Sequence, residues 1–297
     1  MSNCISFSSI GLLRVAAALL VGFVATTASA ELRIPTDSRL QTIKDTKTIK
    51  IAYREDARPF SFLNDKKEIA GFSIDICNLV AKSIQQQLGL DDLKIELVPV
   101  SLQTRFSSVA SGKADMECGS STVTLGRMQE VDFSNYIFLE STGLLVRRSS
   151  NFHTFSDMAG KKIAVIAGTT NERAIVAQIK AQNLNATTVS VKDRDEGVAF
   201  VENGNADGFA SDKLLLIGAN IKNPDALIML PDDLSVEPYA IVLPRGDWAF
   251  RLAVNSGLAQ VFRNGQIVTL VGAWFARVGL YTGPVLRVMY GLGALSE

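Results

Sequence analysis

The residues best equipped for chemistry are Gly119-Ser120-Ser121-Thr122, with Arg127 five positions on and Phe133-Ser134 beyond it. Glycine lets backbone come close to a bound group. Ser120 and Thr122 add hydroxyls and N–H groups. Arg127 adds the forked guanidinium that meets a carboxylate on two bonds. Such a set clamps an anion. Catalysis finds little support: the single histidine, His153, lies in a linker-like stretch without a carboxylate arrangement beside it. No Cys/His metal spacing, phosphate loop or nucleophile elbow is present in the sequence, so no catalytic residue, cofactor or metal is expected.

A clamp of this kind needs a rigid strand end behind it, and the chain supplies one at Ala114 to Gly119. Thr48 to Tyr53 alternates like a strand, a helix is expected from about Asp75 to Leu88, and Lys94 to Pro99 reads as a second strand. A helix opening at Ser101 to Arg105 and ending at Gly112 completes a strand–helix–strand–helix–strand unit, the pattern of an α/β lobe with a mostly parallel sheet. A similar unit follows: strands at Lys162 to Ala167, Thr188 to Val191 and Ala206 to Ala210, helices after Gly168-Thr169-Thr170, at Arg194 to Asn203 and at Asp212 to Ala219. Extended runs at 141–146 and 238–243 join the two units twice. Two closing helices, Trp248 to Asn264 and Gln266 to Val278, and a short apolar tail from Gly283 end the chain. Two crossings between two lobes make a hinge and a cleft.

Composition sets the outer limits. The chain has 297 residues, 47% apolar and 20% charged, with a formal net charge of zero. That suits a globular protein with a sizeable core, and it lacks the basic excess that nucleic-acid binding demands. Arg14, an apolar run Val15 to Val24 and Ala28-Ser29-Ala30 form a secretory signal peptide, with cleavage expected after Ala30; a membrane anchor is the competing reading. Of the three cysteines, Cys4 falls in the leader. Cys77 and Cys118 are expected to be two separate buried thiols, because Cys77 falls on the core side of a helix; a disulfide is the alternative. Glu31 to Thr46 is expected to wrap the surface.

Gly71-Phe72-Ser73-Ile74-Asp75-Ile76, Gly119-x-x-Thr122-x-x-x-x-Arg127 with Phe133-Ser134, Gly168-Thr169-Thr170, and Asp207-Gly208-Phe209-x-x-Asp212 resemble the family 3 periplasmic solute-binding proteins of amino-acid ABC transporters. Tyr53-Arg54-Glu55-x-x-x-Pro59-Phe60, Gln103-x-Arg105 and Glu117-Cys118-Gly119-Ser120 are most similar to its glutamate/aspartate-binding branch, which carries serine at the Leu102 position and histidine at the Arg194 position. The resemblance implies a type II periplasmic binding protein-like fold: α/β, two lobes, two hinge crossings and a ligand cleft between the lobes. Lobe 1 is expected at 31–141 and 243–297, and lobe 2 at 142–242.

The resemblance also assigns the site. Arg127, Ser120 and Thr122 are expected on the ligand α-carboxylate, Thr170 at a second-lobe helix start, and Asp212 on the ammonium. Arg54, Arg105 and, with them, Arg194 are then surplus to a lone zwitterion. Buried arginines without partners are costly, so they are expected to select a second carboxylate. Local alternatives stand beside these: Arg127 paired to Glu130, Arg54 paired to Asp56 or Glu55, Asp212 or Thr170 as helix caps, and Phe60 as core rather than ligand cover. The expected partners are a small amino acid and inner-membrane ABC permease subunits, and the expected state is a periplasmic monomer. Alternatives in function are a binder of glutamine, asparagine or another polar amino acid, a dehydratase-like enzyme with Glu117 as general acid, and a sensor module.

Overall fold

The computed structural model describes residues 34–219 and 223–296; the expected leader lies outside them. In chain order, the first lobe contains α1 (Arg39–Thr46), β1 (Thr48–Arg54), the short strands β2 (Asp56–Ala57), β3 (Ser61–Leu63) and β4 (Ile69–Ala70), α2 (Phe72–Gln87), β5 (Lys94–Val100), α3 (Arg105–Ala110), β6 (Met116–Glu117) and β7 (Val131–Glu140). The second lobe follows with β8 (Thr142–Arg147), β9 (Lys162–Ile166), α4 (Thr170–Ala181), β10 (Thr187–Val191), α5 (Arg194–Glu202), β11 (Gly208–Asp212), α6 (Lys213–Ile217) and β12 (Leu227–Met229). The chain returns through β13 (Glu237–Pro244) to α7 (Trp248–Arg263), α8 (Gln266–Phe275) and α9 (Pro284–Gly293).

The first sheet runs β5-β1-β6-β13-β7 and the second β10-β9-β11-β8-β12. In each, the βαβ units pair in parallel, β1 with β5 and β6, β9 with β10 and β11, while the hinge-side strands β13 and β8 pair antiparallel. Right-handed crossovers then put the loops after the strand ends on one edge of each sheet, where the lobes face. β13 pairs along its length with β7 of the first sheet, starting from Glu237 opposite Glu140. The return crossing therefore falls ahead of Glu237, earlier than the 242/243 boundary expected.

Each sheet is held by apolar burial. In the first lobe, Phe60, Phe72, Phe138, Tyr239 and Phe275 form an edge-and-tilt cluster with centroids 5.0–6.1 Å apart. Phe60 is fully buried there, so it is core and not a ligand cover. Gly71, at φ 145°, precedes α2 where a Cβ would lie 2.1 Å from the Phe60 carbonyl oxygen, so no side chain fits. In the second lobe, two clusters cover the two sheet faces, one around Val146, Ile163 and Ile175, the other around Ala164, Val201 and Phe209.

Of the stretch Glu31 to Thr46 expected to wrap the surface, residues 39–46 form a helix with a buried side: Ser38 caps α1, and Leu40 and Ile43, three apart, are fully buried. Cys77 and Cys118 are not separate thiols but a disulfide, joining α2 to the residue after β6 across 41 positions. Both are buried, as a core reading requires, but those two core positions face each other. The C-terminal segment forms α9, with Tyr290 stacked on Phe262 and its hydroxyl donating to the Ile137 carbonyl at 3.1 Å.

Candidate functional site

The clamp is built where β6 stops. Cys118 is bonded to α2 through the disulfide, and Ser73 on α2 donates its hydroxyl to the Gly119 carbonyl at 2.7 Å. At Gly119 a Cβ would lie 2.1 Å from Glu117 Oε1 and 3.2 Å from Arg54 Cγ, so glycine lets these two side chains pass beneath the turn. Ser120 is half-buried at the turn. Arg127 follows on a single 3-10 turn and is anchored by Nη1 on the Thr122 carbonyl at 2.6 Å. Its guanidinium stands 5.0 Å from the Phe106 ring, and that of Arg105 stands 4.4 Å from the same ring. Among the described residues no ion pair joins Arg127 to Glu130.

Thr122 faces the hinge. Its hydroxyl donates to Glu237 Oε2 at 2.7 Å and lies 3.5 Å from the Thr170 hydroxyl of the other lobe. With its proton turned to Glu237, Thr122 Oγ1 offers lone pairs to the cleft, which suits an ammonium better than the carboxylate expected of its hydroxyl. Thr170 does not cap α4. Thr169 does, accepting from Glu172 N at 3.1 Å, while Glu172 accepts from Gly168 N at 2.7 Å. Thr170 is left at the first helical position with its hydroxyl toward the cleft.

Asp212 stands ahead of α6, yet its side chain makes no capping bond there. It accepts from Asn171 Nδ2 at 3.0 Å. Burial and then the Glu237 carboxylate raise its pKa to about 6. The cap is supplied instead by Glu140, which accepts from Leu214 N at 2.9 Å and Ser141 N at 2.5 Å; burial and Asp212 raise its pKa to about 8. The Tyr239 hydroxyl, buried beside Asp212, has no well-formed hydrogen bond.

The remaining arginines line the opposite wall. Arg54 is 2% exposed and Arg105 4%, so neither faces bulk solvent, and each lines a recess described below. Arg54 donates from Nη2 to Asp56 Oδ2 at 2.7 Å, the local pairing weighed from sequence. Arg194 reaches from α5 in the second lobe to the Asp56 carbonyl at 2.6 Å, with its Nη1 3.8 Å from the Asp56 carboxylate. Arg105 donates to the Leu102 carbonyl at 2.6 Å, and burial lowers its pKa to about 9 against the pull of Glu117. Burial also lowers the pKa of Arg194 and of Arg127. The arginine excess is thus smaller than residue types suggest: Asp56 serves two guanidinium groups and the charge of Glu117 attracts a third, that of Arg105. What stays unsatisfied is specific. The Nε of Arg54, of Arg105 and of Arg194 are each buried with no partner. Recesses of about 470 Å³, lined by Arg54, Leu102 and Arg194, and about 680 Å³, lined by Leu102, Arg105, Arg127 and Arg173, open on either side of Leu102.

Several contributors escaped the sequence reading: Asp56 as shared partner, Asn171, Glu140, Glu237 and Arg173, whose charge disfavours that of Arg127. Only Glu237 had a usable signal, an acid heading an apolar strand. Asn171 acts within its own lobe, on Thr142 of β8 and Asp212 of β11, and Arg173 acts across the lobes on Arg127; spacing encodes neither.

The sequence model for bacterial extracellular solute-binding proteins, family 3, matches residues 49–277. The chain belongs to this family. An L-glutamate/L-aspartate-binding protein of Pseudomonas aeruginosa is 33% identical over 241 residues, 80% of each chain. The glutamate/aspartate import solute-binding protein of Escherichia coli K12 is 30% identical over 240 residues, again 80% of each. Among solved structures, the ancestral amino acid-binding protein AncCDT-1, a precursor of cyclohexadienyl dehydratase, superposes with a TM-score of 0.68 at 25% identity, over 80% of this chain and 99% of that one. A Streptococcus pneumoniae ABC uptake transporter substrate-binding protein with bound histidine gives a TM-score of 0.71 at 19% identity, over 82% and 98%, a likeness of fold. The family 3 assignment accounts for the two sheets, the double crossing and a cleft lined from both lobes.

Proposed function

We propose that this family 3 protein captures L-glutamate or L-aspartate between its lobes in the periplasm and presents it, as a monomer, to inner-membrane ABC permease subunits. One observation carries the choice of an acidic ligand: three buried guanidinium groups, from two lobes, each keep an Nε donor without a partner. A second carboxylate supplies acceptors there; a neutral amide side chain supplies one weaker acceptor and two more donors. In this reading Arg127 and Ser120 take the α-carboxylate. Thr170, at the positive end of α4, joins them on that carboxylate; Asp212 and Thr122 take the ammonium, and Arg54, Arg105 and Arg194 the side-chain carboxylate. The names of the two glutamate/aspartate-binding relatives support the same ligand class.

Calorimetric titration of the mature protein with L-glutamate, L-aspartate, L-glutamine and L-asparagine tests it. Leaving buried charge unpaired costs about 3–5 kcal/mol, so the amides should bind at least roughly 100-fold more weakly. Equal or tighter binding of an amide would sink the acidic assignment. A dehydratase reading has one supporting feature: Glu117 is fully buried, its pKa raised by burial, with Oε1 unpartnered. Incubation with prephenate or arogenate, monitored for aromatic product, separates the two, and no turnover is expected.

A further inference from the structure

Among the described residues, three contacts beyond the Thr122–Thr170 approach join the lobes through protein atoms. Arg194 Nη1 donates to the Asp56 backbone carbonyl at 2.6 Å. Leu102, on the first lobe, packs against the second-lobe cluster that contains Ile166 and Phe209. Gly218, at the end of α6, lies so close to the loop before Pro59 that a Cβ there would come 2.4 Å from the Arg58 carbonyl oxygen. The first and third both land on the segment 56–58. None of these three contacts requires a ligand atom.

We infer that Leu102, Arg194 and Gly218 set affinity by holding the lobes together themselves, a clasp that favours the closed arrangement before a ligand is bound. A ligand draws its apparent affinity from the fraction of protein already competent to hold it. Closure contacts of this kind raise that fraction for every ligand alike, so they tune strength without altering which side chain is preferred. Arg194 then has two duties: one N–H clasps Asp56, and its buried Nε, without a protein partner, is left for the ligand.

Gly218 offers the cleanest probe. Its backbone is right-handed, φ −81° and ψ −3°, which alanine adopts without strain. Gly218→Ala therefore leaves the second lobe intact and obstructs only the approach to Arg58. Leu102→Ser removes the apolar contact, and Arg194→Met removes the donor at similar volume while Arg194→Lys keeps one. Small-angle X-ray scattering of the unliganded proteins should show a larger radius of gyration for G218A, L102S and R194M than for wild type, with R194K intermediate. Thermal melts establish that each variant is folded. Calorimetry with L-glutamate should show affinity weakened about fivefold to tenfold for L102S, the effect of losing part of one leucine burial. In L102S and G218A, which leave the arginines in place, the ratio of L-glutamate to L-glutamine affinity should be unchanged. Unliganded scattering profiles identical to wild type in all three variants would overturn the clasp. The affinity measurements rest on the proposed ligand, but the scattering comparison does not: failure of L-glutamate to bind wild type would refute the ligand and leave the unliganded profiles decisive.

Discussion

Acidifying the solution from pH 7 to pH 5 should weaken L-glutamate binding roughly tenfold, and Asp212 is the reason. Its pKa in the free protein is about 6, raised by burial and by Glu237. Pairing with the ligand ammonium needs the carboxylate. The ionised fraction falls from about nine-tenths at pH 7 to about one-tenth at pH 5, and apparent affinity follows that fraction. The ligand contributes little, since a side-chain carboxyl with a pKa of about 4.3 is still mostly ionised at pH 5. Glu140, with a pKa of about 8, holds its proton across this window and does not titrate in it. The assay is calorimetry at half-unit steps, repeated in two buffers of different ionisation enthalpy; near pH 6 binding should release about half a proton. Asp212→Asn keeps the acceptor for Asn171 and should bind weakly with little pH dependence. A wild-type affinity flat from pH 5 to 7 would refute the placement of Asp212 against the ammonium. So would an undiminished slope in the Asn variant.

Arg127→Ala should lower L-glutamate affinity by roughly 100-fold or more with an unchanged circular dichroism spectrum, and binding at wild-type strength would remove Arg127 from the site. Arg105→Met should cost L-glutamate far more than L-glutamine, narrowing their ratio in parallel titrations; an equal loss for both would place Arg105 off the side-chain carboxylate. Unliganded Asp212→Asn should melt higher than wild type at pH 7 but not at pH 4. The carboxyl pKa rises on folding from 3.8 to about 6, so its favourable contribution is complete below about 4 and is lost as pH climbs through 6. Replacing Cys77 and Cys118 together by alanine should lower the melting temperature by roughly 10 °C, because closing a loop of 41 positions is worth about 4 kcal/mol. A shift under about 2 °C would mean that the crosslink leaves stability nearly unchanged.

Much of the scaffold could be read in advance because its signal is local. β1, β9 and β10 announce themselves by alternation or apolar runs, and α7 by helical spacing of buried residues from Phe250 to Phe262. α1 could not, since two buried positions in a polar octet give too weak a stripe. The span from Ala114 to Gly119 reads as a full strand, but ladder pairing is confined to Met116 and Glu117, where β1 and β13 both reach it. Site residues followed the same division. The clamp was visible as a motif. The pairing of Arg54 was visible too, because Asp56 is two residues away. That Arg194 would come to the same aspartate from the other lobe was not, and neither was the thiol pairing, since each depends on where distant elements stop.

The bridge between Cys77 and Cys118 encloses more than a helix and two strands. Arg105 lies inside the ring it closes, and Gly119 is the first residue outside it, so the proposed side-chain arginine and the glycine turn both hang from a covalent loop. A newly exported chain that has not yet been oxidised would carry the same side chains without that tether. Maturation of the binding surface is therefore tied to the thiol chemistry of the compartment in which the chain arrives.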